Sequence, residues 1–446
     1  MNKVSFSDAI NLSFWILFSV FSLVFSQEKL AAQNNLSLKE AVTIAIQNSY
    51  DIKLIENNAS IAKNNNNYGV AGGLPTVTAN GNNNNTLTTI NQTFPDANRN
   101  TSRNGVDGST LNSGLNATMV LFNGYRVQAT KNRLESLERQ NKALLESQLL
   151  NTISTVMQQY YNVIRQQAFL KTIQKSIETS KQRLDIVETR QKIGVANQAD
   201  FLQSNLDLNA LIQAEQNQLL IIDQAKADLL NTIVMPNTNS IIINDSIKVD
   251  DQLVLSAVEA KIKEHPLLQS AQQLVNVNQF LEKETKTLSY PTLRASTGYN
   301  YNSNKSAAGF ILLNESYGPF LGLNLSIPIY TGGANKRAIK NAEINTKSAK
   351  IQLQNTEQDL TTELFKTYQS YKNSLKQTPI EIQNFEMSQS LLDLVMQKYK
   401  LGQATMVDVK QAQQSFETAG FRLVSLRFNA KIAEIELKRL SNQLNF

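Results

Sequence analysis

Apolar residues return along much of this chain every three or four positions, the period of an amphipathic helix. Between Gly124 and Gly194 there is neither Gly nor Pro to interrupt the pattern. The apolar seam in this stretch comprises Leu149, Ile153, Val156, Tyr160, Val163, Leu170, Ile173, Ile177, Leu184 and Val187. It predicts one helix over 125–192, which would be about 100 Å long at 1.5 Å per residue. So narrow a seam, flanked by Gln, Asn, Lys and Glu, favours packing against a few neighbours in an elongated bundle.

A shorter pattern alternates apolar and polar residues, as in a β-strand with one apolar face. It is clearest at Leu321, Leu323 and Leu325, each of which is followed by a small or polar residue. The pattern predicts strands over 76–90, 111–122, 291–304 and 317–330. Four strands are too few to close a sheet on itself, so its edges stay open. Inside a bilayer, open edges would leave backbone groups unpaired. Lipid-facing strands would therefore be pooled from several chains; a soluble sandwich or two small lids are the alternative.

Both patterns occur twice, in the same order. The segments "KIGVANQADFLQS" from Lys192 and "KLGQATMVDVKQA" from Lys400 share the spacing of a Gly and an Asp, and Pro75 and Pro291 each precede a strand. The sequence therefore predicts an α+β, mainly α fold of two tandem repeats, each running helix, strand, strand, long helical hairpin. The predicted boundaries are 27–235 and 236–446 for the repeats, 125–235 and 333–441 for the helical hairpins, 193–200 and 401–408 for their tips, and 28–36, 236–252 and 441–446 for equatorial elements.

The N-terminus indicates export. Lys3 precedes an apolar run that ends at Ser26, ahead of polar residues. The run is shorter than the ~20 residues that a membrane-spanning helix needs. Residues 1–26 are therefore predicted to be a secretory signal peptide cleaved after Ser26, with a retained anchor helix as the alternative.

The composition argues against several kinds of function. The chain has no cysteine and one histidine, His265, and its carboxylates and hydroxyls form no catalytic motif in a recognisable context. We therefore predict no enzymatic activity, no metal site and no cofactor. The net charge of +6 is spread along the chain, which argues against binding nucleic acid. Pro379 is expected to kink or break the second long helix. The Asn-rich stretches near Asn64 and Asn82 are interpreted as variation on a polar surface.

Together these features resemble the TolC-type outer-membrane efflux channel family. The resemblance is based on "LSLKEAVTIAIQNS" after the signal peptide, "LP" before the first strand, "LFNG" and "IYTGG" between strand and helix, and the tips "IGVANQADF" and "LGQATMVDV". It covers about residues 36–440. It implies a homotrimer in which a 12-stranded barrel in the outer membrane is continued by a 12-helix α-barrel in the periplasm. It also implies a passive exit duct of a tripartite efflux or type I secretion system, in the outer membrane of a Gram-negative bacterium.

The resemblance also implies partners and site residues. Outer-membrane lipid would surround the barrel, and a periplasmic adaptor (membrane fusion) protein would dock at the tips and link the duct to an inner-membrane pump of RND, ABC or MFS type. The residues implied at the tips are Gly194, Asp200, Phe201, Gly402, Thr405, Asp408 and Val409. Asp408 and Gln411 are the candidates for a pore constriction. Gln411 stands where well-known members have a second acid, and Ala404 where some have a basic residue.

Two roles for the tip aspartates are left open. Three copies of Asp408 around a narrow axis would form an acidic ring that attracts cations. Alternatively, Asp200 and Asp408 cap their helices or lie favourably in the first turn.

Other functions are alternatives to the export duct. One is a soluble periplasmic coiled-coil spacer or adaptor-like protein, although the lipoyl-like β-module of an adaptor is not visible in the sequence. A hydrolase on a barrel scaffold is another, without a catalytic motif to support it. Neither the cargo nor the class of pump is encoded in the chain.

Overall fold

The computed structural model describes residues 34–237, 241–307 and 311–444. The predicted signal peptide, 1–26, lies outside these residues, and so do parts of the three equatorial segments. In the part of the chain that is described, no helix has the length and apolarity needed to cross a bilayer.

The described residues are mainly helical. The α-helices are α1 (Leu38–Asn48), α2 (Tyr50–Asn65), α3 (Arg126–Lys192), α4 (Gln198–Thr232), α5 (Leu255–Lys261), α6 (Pro266–Lys286), α7 (Ala334–Lys400) and α8 (Met406–Leu440). The strands are β1 (Asn34–Asn35), β2 (Thr76–Gln92), β3 (Thr101–Phe122), β4 (Ile241–Ile242), β5 (Thr292–Ser306) and β6 (Leu313–Ser326). The long hairpins α3–α4 and α7–α8 have the same helix lengths, 67 and 35 residues, as expected for two copies of one unit.

The strands differ at their ends from the sequence expectation. β3 begins at Thr101, ten residues before the predicted start, because its first half is polar on both faces and shows no alternation. β6 spans Leu313–Ser326 instead of 317–330. It ends before Pro328, which has no backbone N–H to continue the ladder.

The second long helix is not broken at Pro379. α7 is continuous from Ala334 to Lys400 with Pro379 inside it. This proline is exposed to solvent, so the carbonyl that loses its helical partner is not forced into a dry core. Buried neighbours on the same helix, Tyr371 and Leu392, hold it in its bundle on either side.

The chain forms two compact units. The first contains the described parts of Met1–Tyr50, Leu149–Ala260 and Leu364–Phe446, and the second contains Asp51–Gln148 and Lys261–Glu363.

The main core of the first unit joins the short elements to the long hairpins. The small and branched residues of α1 pack against the fully buried Val156, Tyr160 and Val163 of α3. Tyr160 also donates from its hydroxyl to the Leu36 carbonyl, 3.0 Å away, beside the two-residue parallel pairing of β1 with β4. Burying each large apolar side chain contributes about 1.5–3 kcal/mol, so this cluster is the chief apolar contribution to the unit.

The second unit contains the sheet and the helix ends that adjoin it. The strand order is β2-β3-β5-β6, and every neighbouring pair is antiparallel. Gly124, with φ +68°, turns the chain from β3 into α3, where a Cβ would lie 2.7 Å from Tyr290 Cβ. Arg133 of α3 is paired with Glu284 of α6 at 2.8 Å. The buried His265 is the N-cap of α6, since its Nδ1 accepts from the Leu267 N–H at 3.2 Å.

Candidate functional site

One face of the four-stranded sheet is lined by small and polar side chains. Directly paired residues point to the same face, so the cross-strand rows follow from the register. The rows are Thr76 with Thr118, Ser296 and Gly322; Thr78 with Asn116, Gly298 and Phe320; Asn80 with Gly114, Asn300 and Gly318; Asn82 with Asn112, Asn302 and Ser316; and Asn84 with Thr110, Asn304 and Asn314. Asn82 and Asn84 of the Asn-rich stretch therefore belong to a continuous wall of polar side chains, while Asn83 and Asn85 lie on the opposite face. We call this surface the polar face.

Phe320 is the only large residue in these rows. Its ring lies over Gly298, where an added Cβ would be 2.8 Å from the ring Cε1 and 2.1 Å from the Leu115 carbonyl oxygen. Position 298 therefore requires glycine, and the phenyl ring covers the gap that the missing side chain leaves.

The opposite face of the sheet is apolar and largely exposed from the row of Leu325 to the row of Tyr317, and carries polar and charged residues beyond it. Leu321 is 82% exposed and Leu323 is 70% exposed. The members of this apolar face include Val77, Leu115, Met119, Tyr299, Tyr317, Leu321, Leu323 and Leu325. A contiguous exposed surface of this kind is typical of a protein or membrane contact, because water-facing sheets carry polar residues there.

Both edges of the sheet are open within the described residues. β2 pairs only with β3, and β6 pairs only with β5, over 17 and 14 residues respectively. Long edge strands of this length present rows of backbone donors and acceptors that another chain could pair with.

At the first hairpin tip the helices are joined by a tight turn. Gly194, with φ +75°, follows the end of α3, and the Val195 N–H donates back to the Arg190 carbonyl at 2.9 Å. Asn197 then caps α4 by accepting from the Asp200 N–H at 2.8 Å. Asp200 lies in the first turn of α4, three residues after the cap, where its charge favours the helix N-terminus.

The second tip has the same geometry with a more complete cap. Gly402 has φ +78° and follows the end of α7. Thr405 accepts from the Asp408 N–H at 3.2 Å, and the Asp408 carboxylate accepts from the Thr405 N–H at 2.8 Å and its hydroxyl at 2.7 Å. These backbone and hydroxyl hydrogen bonds hold the pKa of Asp408 below its ordinary value. The structure therefore places Asp408 in a capping box, while a role at a pore constriction for Asp408 and the exposed Gln411 stays a prediction.

A small apolar core lies behind the two tips. Val409 is fully buried among Val187, Leu392 and Phe416. Phe201, from the first tip, is half-buried against the same cluster. These two predicted tip residues thus join the hairpins to each other.

The surface of the tips carries apolar residues that the sequence prediction did not include. Ile193 and Val195 flank Gly194 and are 69% and 73% exposed, while Leu401 and Val407 lie on either side of the second turn at 74% and 73%. For Ile193, Val195 and Leu401 the signal in the sequence is an apolar residue next to a turn glycine, where a solvated turn would have a polar one.

Polar links also connect the two hairpins near the tips. Arg190 of α3 stacks on the Tyr399 ring of α7, with its guanidinium carbon 4.8 Å from the ring centroid, and donates to the Tyr399 carbonyl. Further along, the buried Ser180 donates to Gln413 of α8 at 3.3 Å. In the sequence, Ser180 lies between Ile177 and Leu184 of the apolar seam and interrupts it.

An ionic group joins three of the long helices. Arg183 of α3 is only 1% exposed and pairs with Asp207 of α4 at 2.9 Å, and Lys410 of α8 reaches the same carboxylate at 3.0 Å. Burial raises the pKa of Asp207, but the hydrogen bonds from Lys410 and Gln203 and the charge of Arg183 outweigh it and hold the pKa below its ordinary value. The sequence gives no local signal for this group, because its members belong to different helices and meet only when these helices pack.

The features described so far are surfaces of the sheet and of the hairpin tips. Within the ranges that the structure covers, no three His, Asp or Glu side chains are placed to hold a metal ion. What the geometry offers is a two-faced sheet with open edges and a pair of capped hairpin tips with exposed apolar residues.

Comparisons with known proteins agree on one architecture. Residues 258–443 match the family described as outer membrane efflux protein. The chain is 23% identical over 356 residues to outer membrane protein TolC of Escherichia coli, covering 77% of this chain and 71% of that protein.

Solved structures give the same result for the fold. A membrane protein from Pseudomonas aeruginosa superposes with a TM-score of 0.76 at 16% identity, covering 91% of this chain and 93% of that one. The CmeC outer membrane channel of Campylobacter jejuni superposes with a TM-score of 0.75 at 15% identity, covering 92% and 87%. The fold is therefore the one found in outer-membrane channels, as the sequence analysis predicted.

Proposed function

From the match of residues 258–443 to the outer membrane efflux protein family, we propose that the chain belongs to this family and is one third of a trimeric exit duct in the outer membrane. The observation that carries the proposal is the sheet, which has an exposed apolar face, a polar face and two unpaired edges. In lipid such edges have to be paired, and three copies of four strands close an even-numbered antiparallel barrel.

We propose that the two faces of the sheet lie in different environments. The apolar face would contact lipid, with Leu321 and Leu323 among its most exposed members. The polar face, with rows such as Asn82, Asn112 and Asn302, would line the lumen, where its amides replace hydrogen bonds that a passing solute makes with water. The protein is passive in this proposal, and transport is driven by its partner.

The hairpin tips are proposed to bind a periplasmic adaptor that leads to an inner-membrane pump. In support, both turns expose apolar side chains: Ile193 and Val195 at one tip, Leu401 and Val407 at the other. Apolar residues on a rigid capped turn lose little side-chain entropy on docking, which favours a compact binding site. Gly194, Asp200, Phe201, Gly402, Thr405, Asp408 and Val409 would hold these residues in place.

Cross-linking of the sheet edges tests the trimer directly. The chain has no native cysteine, so pairs of cysteines can be introduced on the polar face of β2 and β6, for example Thr78→Cys with Ser316→Cys and its register neighbours Gly318→Cys and Asn314→Cys. We expect at least one pair to yield a covalent trimer in outer membranes after oxidation. A matched control is Thr78→Cys with Asn116→Cys, which are directly paired within one chain and should give a cross-linked monomer.

Conductance is the second readout of the same proposal. Purified protein in a planar bilayer should give discrete conductance steps, and fractionation should leave it with the outer membrane. A soluble periplasmic spacer, the alternative, would wash out with the periplasm and give only within-chain cross-links. That result would overturn the duct.

A further inference from the structure

The polar face of the sheet is almost free of charge. Its cross-strand rows from Thr292 up to the pair of Thr88 with Val106 consist of Asn, Thr, Ser, Gly and a few apolar residues, with one exception, and the next row, beyond a bulge, pairs Ile90 with the cationic Arg103. The exception is Arg294 of β5, which is paired with Val120 on one side and Asn324 on the other.

The other charged residues of these rows lie on the opposite face. Asp107, Lys305 and Glu315 all occupy positions in register with the apolar side of the sheet. None of them can therefore screen Arg294 across the polar face.

The surroundings of Arg294 on its own face contain no acid. The adjacent rows hold Thr118, Ser296 and Gly322 on one side, and Thr292 with Ser326 on the other. The guanidinium is exposed to solvent. The guanidinium therefore places a positive charge on this part of the polar face.

We propose that Arg294 makes the sheet lumen prefer anions, as the residue that sets charge selectivity in this part of the duct. The inference rests on the proposed trimeric function, because closure of the barrel would repeat Arg294 once every four strands and form a ring of like charges. Rings of charged side chains select ions of opposite sign in pores. The Debye length is about 10 Å at 0.1 M salt, so such a ring acts on ions within roughly that distance, whereas at 1 M its reach falls to about 3 Å.

A ring of Arg294 side chains would let negatively charged solutes pass the barrel more readily than positively charged ones. The Asn and Thr residues of this wall offer hydrogen bonds to solutes of either sign, so the charge of the Arg294 ring favours anions over cations in this part of the duct. The class of solute is thus anionic small molecules, or polypeptides with acidic segments.

Reversal potentials under a KCl gradient at about 0.1 M test the proposal. Arg294→Gln should lower the chloride-to-potassium permeability ratio by about twofold or more, and Arg294→Glu should lower it further. Both effects should disappear near 1 M KCl because the ring is then screened. Lys305→Gln is the matched control, since it removes the same charge from the opposite face of the same strand and should leave the ratio unchanged.

A chemical rescue separates charge from shape. Because the chain has no other cysteine, Arg294→Cys can be modified with a positively charged aminoethyl thiol reagent, which should restore the anion preference. The same reagent applied to the neighbouring Ala295→Cys, on the apolar face, should leave the chloride-to-potassium permeability ratio unchanged.

The outcomes distinguish failure of the proposed anion preference from failure of the proposed duct. Normal conductance with an unchanged permeability ratio in Arg294→Gln at low salt would overturn the inference and leave the duct intact. Absence of conductance in the unmodified protein would instead overturn the duct itself.

Discussion

At the scale of single residues, the tips show how the same side chain can serve structure before it serves function. Asp408 was expected either to cap a helix or to form an acidic ring, and its carboxylate accepts both hydrogen bonds that Thr405 can donate. A carboxylate held in this way is fixed in orientation. The cap therefore determines what any partner would encounter at this tip.

Removal of the cap hydroxyl tests this view. Thr405→Ala should destabilise the start of α8 by about 1 kcal/mol, while Thr405→Ser, which keeps the hydroxyl, should be close to the native protein. Hydrogen exchange at the amides of residues 405–409 measures the difference. Because the folded pKa of Asp408 is lowered, the stabilising contribution of its carboxylate should be complete above the ordinary aspartate pKa and should fade as pH drops through the lowered value. Equal exchange in the two variants would contradict the cap.

The buried Arg183 provides a second residue-scale prediction. Asp207→Asn leaves the 1%-exposed guanidinium without its counter-charge and should destabilise the protein by about 3 kcal/mol. Lys410→Gln, the control, removes a half-exposed partner of the same carboxylate and should cost at most about 1 kcal/mol. Thermal unfolding followed by circular dichroism compares the stability of the two variants. Similar losses of stability would mean that the buried Arg183 does not rely on Asp207 as its counter-charge.

At the scale of elements, the long helices pack where small residues let them approach. Gly420 lies inside α8, and a Cβ there would be 2.9 Å from Thr172 Cγ2 of α3 and 3.3 Å from the Phe385 ring of α7. Glycine in a helix interior is normally about 1 kcal/mol worse than alanine, so its presence here is explained by the crossing and not by the helix.

Substitution at this crossing should run against helix propensity. Gly420→Ala should destabilise the protein by about 1–2 kcal/mol, because overpacking outweighs the gain in propensity. Adding Thr172→Ala removes both Thr172 atoms in the way and should recover most of that loss. Unfolding curves of the single and double variants provide the measurement. If Gly420→Ala were stabilising by itself, the close approach would not exist in solution.

At the scale of the whole molecule, the sheet makes sense only as part of something larger. Its apolar face is exposed and its edges are unpaired within the described chain, two features that an isolated water-soluble sheet of this length would not tolerate. Assembly in lipid satisfies both at once.

The two-faced sheet predicts opposite tolerance on the two faces of one strand. Leu323→Arg places a charge on the proposed lipid face and should cost about 2–4 kcal/mol per chain in the membrane-inserted state. Ser316→Arg, on the polar face of the same strand and opposite the uncharged Asn302, faces the proposed lumen and should be tolerated. Folding into lipid vesicles, titrated with urea, measures both variants. Comparable losses of folding free energy in the two variants would show that the two faces of the sheet lie in the same environment.

The sequence by itself determined the kind of elements and their repetition. Helical period, strand alternation and the two Gly-turn-Asp segments are local signals, because they depend on which residues neighbour each other along the chain. The position of the tip glycines and the first-turn placement of Asp200 and Asp408 could be found in this way, whereas Asn197 and Thr405 were not identified as the capping residues. So could the alternation at Leu321, Leu323 and Leu325.

Only the tertiary structure decided the relations between distant segments. The meeting of Arg183, Asp207 and Lys410 depends on how three helices pack, and the isolation of Arg294 depends on the register of four strands. The continuity of α7 through Pro379 was likewise decided by packing, which can outweigh local propensity. These outcomes arise from long-range contacts whose free energies are absent from any short window of the chain, and that is why the amino-acid pattern could not supply them.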